Sequence, residues 1–368
     1  MNQPIRVLNV LTIMDRGGAE TMVMNYYRNI DRSKVQFDFL VHRDQRGAYD
    51  DEIESLGGII YRLPRLNPWS RNYHVALNRF FEEHTEYRIV HVHQDCMSSV
   101  ILKAAERHRV PVRIAHSHNA NQDKNYKYPI KLLYRMLIPK YATELIACGE
   151  QAGNWMFRGK PYRIMNNAIN IDAYTMDATK RTEIRNQLNL NDCVVVGHVG
   201  RFNPQKNHSF LLEVFSKVLN RSPKAMLMLV GGGDDMPKIQ NMAYALGIAD
   251  HVCFLGVRSN IAELMQAMDV FVLPSLYEGL PVTMVEAQAA GLPCVISDCV
   301  PKECILTDGL VDVVSLHADI ETWIQSILRK SELPHTDHKK EIALRGFNIT
   351  TEVAKLQEFY LNTYEENC

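Results

Sequence analysis

A chain of 368 residues exceeds one ordinary hydrophobic core, so two domains of about 150–200 residues are expected. A formal net charge of −1 excludes wholesale attraction to nucleic acid, and 46% apolar with 23% charged residues fits a globular chain. No stretch approaches the roughly 18–20 apolar residues of a membrane span, and the opening MNQPIRVLNVL reads as a first strand, not an export leader. Eight cysteines without a C-x-x-C pair are expected as reduced thiols of a cytoplasmic protein. The five-residue spacing of Cys294, Cys299 and Cys304 matches no zinc template.

Short apolar runs follow one another along the chain. In the first half they are Arg6–Leu11, Phe37–Val41, Ile59–Tyr61, Ile89–His93, Val112–Ala115, Glu144–Ala147 and Arg163–Met165. In the second half they are Val194–Val199, Ala225–Val230, Val252–Leu255, Val270–Leu273, Cys294–Ser297 and Val311–Val314. Amphipathic helical stretches lie between them, such as Tyr73–Phe81 and the stripe Phe210, Leu211, Val214, Phe215 and Val218. Such alternation predicts α/β architecture with parallel sheets covered on both faces, in two Rossmann-like domains. The polar stretch Asn166–Asp192 is expected to hold the connection, with domains at residues 1–168 and 169–347. Ile349–Tyr364 reads as a final helix.

In open α/β sheets, ligands bind beyond the carboxyl ends of the strands, where unpaired N–H groups and helix dipoles favour anions. Four strand exits stand out. The first run leads into Asp15-Arg16-Gly17-Gly18-Ala19-Glu20, two glycines that allow close approach of a polar ligand, without the G-x-G-x-x-G of a dinucleotide site. The run ending at Val199 leads into GRFNPQKN, where Arg201 and Lys206 suit a diphosphate. Val230-Gly231-Gly232-Gly233 again removes side chains beyond a strand. The run ending at Leu273 leads into Pro274-Ser275-Leu276-Tyr277-Glu278-Gly279-Leu280-Pro281-Val282. There Pro281 suits a first helical turn and Glu286 falls one to two turns inside the helix. N–H groups at Gly279, Leu280 and Val282 would meet a phosphate. The two carboxylates flanking it would accept hydrogen bonds from sugar hydroxyls.

With these motifs in place, the chain resembles glycosyltransferase family 4, retaining enzymes of the GT-B fold. The likeness rests on GGAE (17–20), GRFNPQKN (200–207), VGGGDD (230–235), FLG (254–256) and DVFVLPSLYEGLPVTMVEAQAAGLP (269–293). Glu278 and Glu286 match the family's E-x7-E pair. The resemblance implies two Rossmann-like domains facing across a cleft, with a C-terminal helix (348–368) returning to the N-terminal domain. It implies a nucleotide-diphosphate sugar as donor, UDP-sugar favoured, and no metal or other cofactor. Arg201 and Lys206 would hold the diphosphate, Glu278 the donor sugar and Glu286 the ribose. Val257 and Arg258 would lie near the base, and Gly17 and Gly18 near the phosphates and acceptor. Lys206-Asn207 replaces a frequent Lys-Gly, and Asn167-Ala168 a frequent Asn-Gly, which leaves loop detail open.

The family places a histidine against the donor sugar after the fifth run. Here His116-Ser117-His118-Asn119 offers two, of which His118 lies further into the loop; His91 and His93 are expected to be structural or to line the cleft. Transfer with retention, by front-face attack assisted by the leaving phosphate, would follow. From Lys124 to Lys140 the sequence KNYKYPIKLLYRMLIPK holds five cations (Lys124, Lys127, Lys131, Arg135, Lys140) and no acid, with Leu132, Leu133, Met136 and Leu137 beside them. That pattern suits a helix on an anionic membrane surface. It points to a peripheral enzyme on the inner face of the cell membrane, extending a lipid-linked saccharide for a surface polysaccharide. Competing readings are a UDP-sugar epimerase of similar architecture, whose acid–base carboxylates are not seen, and a catalytically inactive sugar-nucleotide-binding homologue or partner subunit.

Overall fold

The computed structural model describes residues 3–121 and 126–367. Lys124 of the expected basic patch lies outside them. The chain divides into two compact units, Met1–Ala168 with Ile349–Cys368, and Ile169–Asn348. Asn348 belongs to the second unit, where it bridges to Ile169.

Each unit is built on one parallel sheet. The N-terminal sheet contains β1 (Ile5–Leu11), β2 (Val35–Val41), β3 (Ile60–Arg62), β4 (Ile89–Val92), β5 (Val112–Ser117), β6 (Glu144–Ala147) and β7 (Arg163–Ile164), in the order β3-β2-β1-β4-β5-β6-β7. The C-terminal sheet contains β8 (Val195–Val199), β9 (Met226–Val230), β10 (Val252–Gly256), β11 (Val270–Leu273), β12 (Cys294–Ser297) and β13 (Val311–Val314), in the order β10-β9-β8-β11-β12-β13. The apolar runs therefore are strands, because strands covered on both faces must be apolar throughout. In both sheets the order reverses once, between β1 and β4 and between β8 and β11. Those reversals are where an open α/β sheet leaves a crevice for ligands.

Helices close each core. Ile349, Val353, Leu356 and Tyr360 lie on one stripe of the helix Ile349–Asn367 and are buried in the N-terminal core, with Tyr360 edge-on to Phe37 at 5.8 Å. In the C-terminal domain, Leu211, Val214, Phe215 and Val218 of the helix His208–Arg221 are buried, and Phe210 packs edge-on against Trp323 at 5.2 Å.

The stretch Asn166–Asp192 contains the division between the units, at Ala168 and Ile169, and is structured beyond it. It contains a 3-10 turn, Ile171–Tyr174, and a helix, Ala178–Gln187, whose N-cap Asp177 accepts from the N–H groups of Thr179 and Lys180. This helix buries only Ile184 and Arg185, so it lacks an apolar stripe. It is held instead by charge. Arg181 and Arg185 both pair with Asp269 at the foot of β11, whose carboxylate also accepts from the Val195 N–H at 2.7 Å.

Among the described residues every cysteine is free, and no helix is long and apolar enough to cross a membrane.

Candidate nucleotide-sugar site

The loops leaving β8 and β11 are strapped together. Asn203 caps the 3-10 turn Pro204–Lys206, and Asn207, in the left-handed region (φ 57°), turns the chain into the helix His208–Arg221. Leu276 donates its N–H to Gln205 oxygen at 2.8 Å, and Asn207 Nδ2 donates to Pro274 oxygen at 3.2 Å. This framework brings Lys206 Nζ to 2.6 Å from Glu278 Oε1, while Gln205 Nε2 donates to Glu278 Oε2 at 3.2 Å. Both partners of the ion pair are largely buried, at 15% and 6% exposure. Such a pair depends on its hydrogen bonds to offset the loss of water.

Gly279, Leu280, Pro281 and Val282 follow, all buried. The helix Val282–Ala289 starts one residue later than expected, with Pro281 at its N-cap. Its positive end lies four residues beyond Glu278, a place where a phosphate is favoured. Glu286, one turn in, is buried, and burial pushes its carboxyl up to about 7 against a stabilising hydrogen bond from Tyr174 Oη at 2.6 Å. Arg201 is exposed at the exit of β8. Val257 is exposed beside Gly232, and Arg258 donates from Nε to Leu255 oxygen at 2.9 Å.

The glycines divide by function. A Cβ at Gly231 (φ +141°) would stand 2.0 Å from Gly200 oxygen, and one at Gly233 (φ +152°) would stand 2.4 Å from Phe202 oxygen. These glycines admit the close approach of the protein's own backbone. Gly18 differs: a Cβ there would meet nothing within 4 Å, and no packing demand explains it. Gly17 caps the helix Gly18–Asn29 without a side-chain bond.

In the N-terminal domain His91 and His116 are buried, while His118 is half-buried at the exit of β5. His93 Nδ1 lies 2.8 Å from His118 Nε2. Burial pushes His91 and His118 down to about 3 and His93 and His116 well below the usual imidazole range, so all four are neutral near pH 7.

Residues 16–173 match the family described as Glycosyltransferase Family 4, and residues 180–339 match Glycosyl transferases group 1. EpsF of Bacillus subtilis (strain 168), a glycosyltransferase by name, is 40% identical over 372 residues, covering 96% of each chain. The chain belongs to glycosyltransferase family 4. Another relative, from Escherichia coli, is named UDP-Gal:alpha-D-GlcNAc-diphosphoundecaprenol alpha-1,3-galactosyltransferase. It is 26% identical over 294 residues, which cover 75% of this chain and 76% of that protein. Among solved structures, Anabaena HepE in complex with UDP and glucose superposes with a TM-score of 0.82. It has 18% identity, over 97% of this chain and all of that one. The GT-B class therefore holds, and the protein is a glycosyltransferase.

As a family 4 glycosyltransferase, it departs from the sequence reading in two further respects. Gln205 and Tyr174 contact the paired glutamates, yet neither was singled out. Gln205 lies inside GRFNPQKN and was overshadowed by its charged neighbours; nothing in the local sequence signals Tyr174. The basic helix Tyr128–Tyr141 forms, but its cations do not act as one stripe. Arg135 donates to Trp155 oxygen at 3.0 Å and stacks over the Trp155 ring at 4.7 Å, so it faces the protein. Lys127 and Lys140 are exposed, as are Leu133 and Met136 at 57% each, while Lys131 is half-buried.

Proposed function

We propose that the protein moves a hexose from a nucleotide-diphosphate sugar, with UDP-sugar favoured, to a lipid-linked saccharide acceptor, with retention at the anomeric carbon. Surface-polysaccharide synthesis on the inner face of the cell membrane is the setting that this reading implies. The observation that carries it is the pairing of Glu278 with Lys206 at the reversal between β8 and β11, in the loop that leads into the helix holding a second buried carboxylate, Glu286.

In this reading the diphosphate lies at the N-terminus of Val282–Ala289, where Lys206 and Arg201 neutralise it, and that donor site needs no metal. Incoming sugar hydroxyls replace Lys206 as donors to Glu278, and the freed ammonium turns to the phosphate. Glu286, steadied by Tyr174, accepts from the ribose. Leaving-group charge is stabilised by groups already in place, and the phosphate oxygen accepts the acceptor's proton as the acceptor hydroxyl attacks from the same face. The UDP-bound neighbour and the relative named for a diphosphoundecaprenol acceptor support the choice of donor and acceptor class.

A thermal-shift and hydrolysis screen against UDP-, GDP- and ADP-sugars tests this, with Glu286→Ala alongside. Stabilisation by a UDP-sugar, lost in the variant, with slow release of UDP, is the expected result. Stabilisation by every sugar nucleotide without release or transfer in the presence of lipid-linked acceptor would favour a binding homologue, and no stabilisation would sink the donor assignment.

A further inference from the structure

His91 and His93 alternate on β4 and its exit; His116 and His118 alternate on β5 and its exit. β4 and β5 are parallel neighbours, and a period of two puts all four side chains on one face. The result is a two-by-two array of imidazoles. Ring centroids lie 4.3 Å apart for His91 and His93, and 4.1 Å for His116 and His118. Between the strands they lie 5.2 Å apart for His91 and His116, and 5.1 Å for His93 and His118. Nitrogens face each other in both of these pairs: His91 Nε2 and His116 Nδ1 at 3.1 Å, His93 Nδ1 and His118 Nε2 at 2.8 Å. Ligand nitrogens of His91, His93 and His116 all lie within 4.8 Å of one another.

We propose that His91, His93 and His116, which His118 joins on binding, form a binding site for a borderline first-row transition-metal ion such as Zn2+. Around a tetrahedral zinc with bonds of about 2.0–2.1 Å, ligand nitrogens stand about 3.3–3.4 Å apart, so each facing pair has to open by about half an ångström, while the wider separations, within 4.8 Å among His91, His93 and His116, have to close. Imidazole nitrogen selects zinc, nickel or copper over magnesium and calcium, which prefer oxygen. The outer partners of such a site are also present. Tyr360 Oη lies 2.7 Å from His91 Nδ1, and Asn9 Oδ1 lies 3.3 Å from His93 Nε2. A metal-bound histidine commonly gives its other N–H to an oxygen, which fixes ring and tautomer. On binding, the proton in each facing pair moves to an outer nitrogen. His91 Nδ1–H then donates to the Tyr360 oxygen and His93 Nε2–H to Asn9. The second nitrogen of His116, Nε2, is buried without a hydrogen-bond partner, so this ring is free to exchange its tautomer.

The test of this site does not use activity. Full-length, tag-free protein is stripped with EDTA, loaded with Zn2+ or Mg2+, desalted and assayed for metal, with thermal melts in parallel. A single retained equivalent of zinc and a raised melting temperature are expected, with neither from magnesium. Loading with Co2+ should give the intense visible absorption of a tetrahedral ion. The double variant His91→Gln/His116→Gln should lose retention and the thermal shift. Tyr360→Phe should keep the stoichiometry and weaken affinity by about 10–100-fold. If the double variant does not fold, His118→Gln, at the half-buried corner, should weaken binding in its place. No retention by the unaltered protein, or retention indifferent to the array variants, would overturn the proposal and leave the four rings as a hydrogen-bonded stack.

Discussion

The N-terminal domain ends β4 and β5 in four neutral rings that hydrogen-bond one another. The C-terminal domain ends β8 and β11 in an ammonium and two carboxylates. Both domains place these groups beside the reversal of strand order, so the fold assigns the location and the side chains assign the chemistry. Neutral rings are buried at modest cost once paired, and they stay paired without a ligand. Charges are costly to bury and are held here by hydrogen bonds to one another and to Gln205 and Tyr174.

The largest effect that would break this contrast is at Lys206. Lys206→Met leaves the Glu278 carboxylate buried with Gln205 as its remaining side-chain donor, and is expected to destabilise by about 3 kcal/mol in urea unfolding. Adding Glu278→Gln should recover much of that loss. A loss under about 1 kcal/mol, the range of exposed pairs, would show that the ion pair behaves as if in water.

Next comes Glu286, whose raised carboxyl sets a pH dependence. Between the ordinary carboxyl range and about 7, the folded form binds the proton that the unfolded form has lost. Glu286 thus detracts from stability progressively as pH rises through that window, by about 3 kcal/mol at most above it. Glu286→Gln, which carries no buried charge, should therefore melt higher than the parent at pH 8, with the difference vanishing near pH 4. Equal melting temperatures at both pH values would show that Glu286 is solvated.

The smallest expected effect concerns the surface of Tyr128–Tyr141. In flotation with anionic vesicles at low salt, Lys140→Gln should weaken binding about fivefold, as for one surface cation of about 1 kcal/mol. Arg135→Gln should change it less, because that guanidinium is spent on Trp155. No flotation of the parent protein would remove the membrane from the proposed function.

Strand after strand was legible because a doubly covered parallel strand has to be apolar from end to end. The helix Ala178–Gln187 was not, because ion pairs to Asp269 hold it where an apolar stripe usually would. At the candidate site, Lys206, Glu278 and Glu286 announced themselves by charge next to a strand exit. Gln205 and Tyr174, which orient them, are ordinary residues whose part depends on folding. Gly231 and Gly233 signal that something approaches closely, and the fold shows that it is the backbone of Gly200 and Phe202. Each H-x-H pattern was visible in sequence, but their alignment into one array required knowing that β4 and β5 are neighbours.

The helix Ile349–Asn367 puts Val353, Leu356 and Tyr360 into the core of the domain that begins the chain. During synthesis the ribosome makes that domain first, yet its core stays unfinished until these last turns emerge. The C-terminal domain, whose residues are contiguous, has all of its chain available before the N-terminal domain does, so the two need not complete in the order in which they begin.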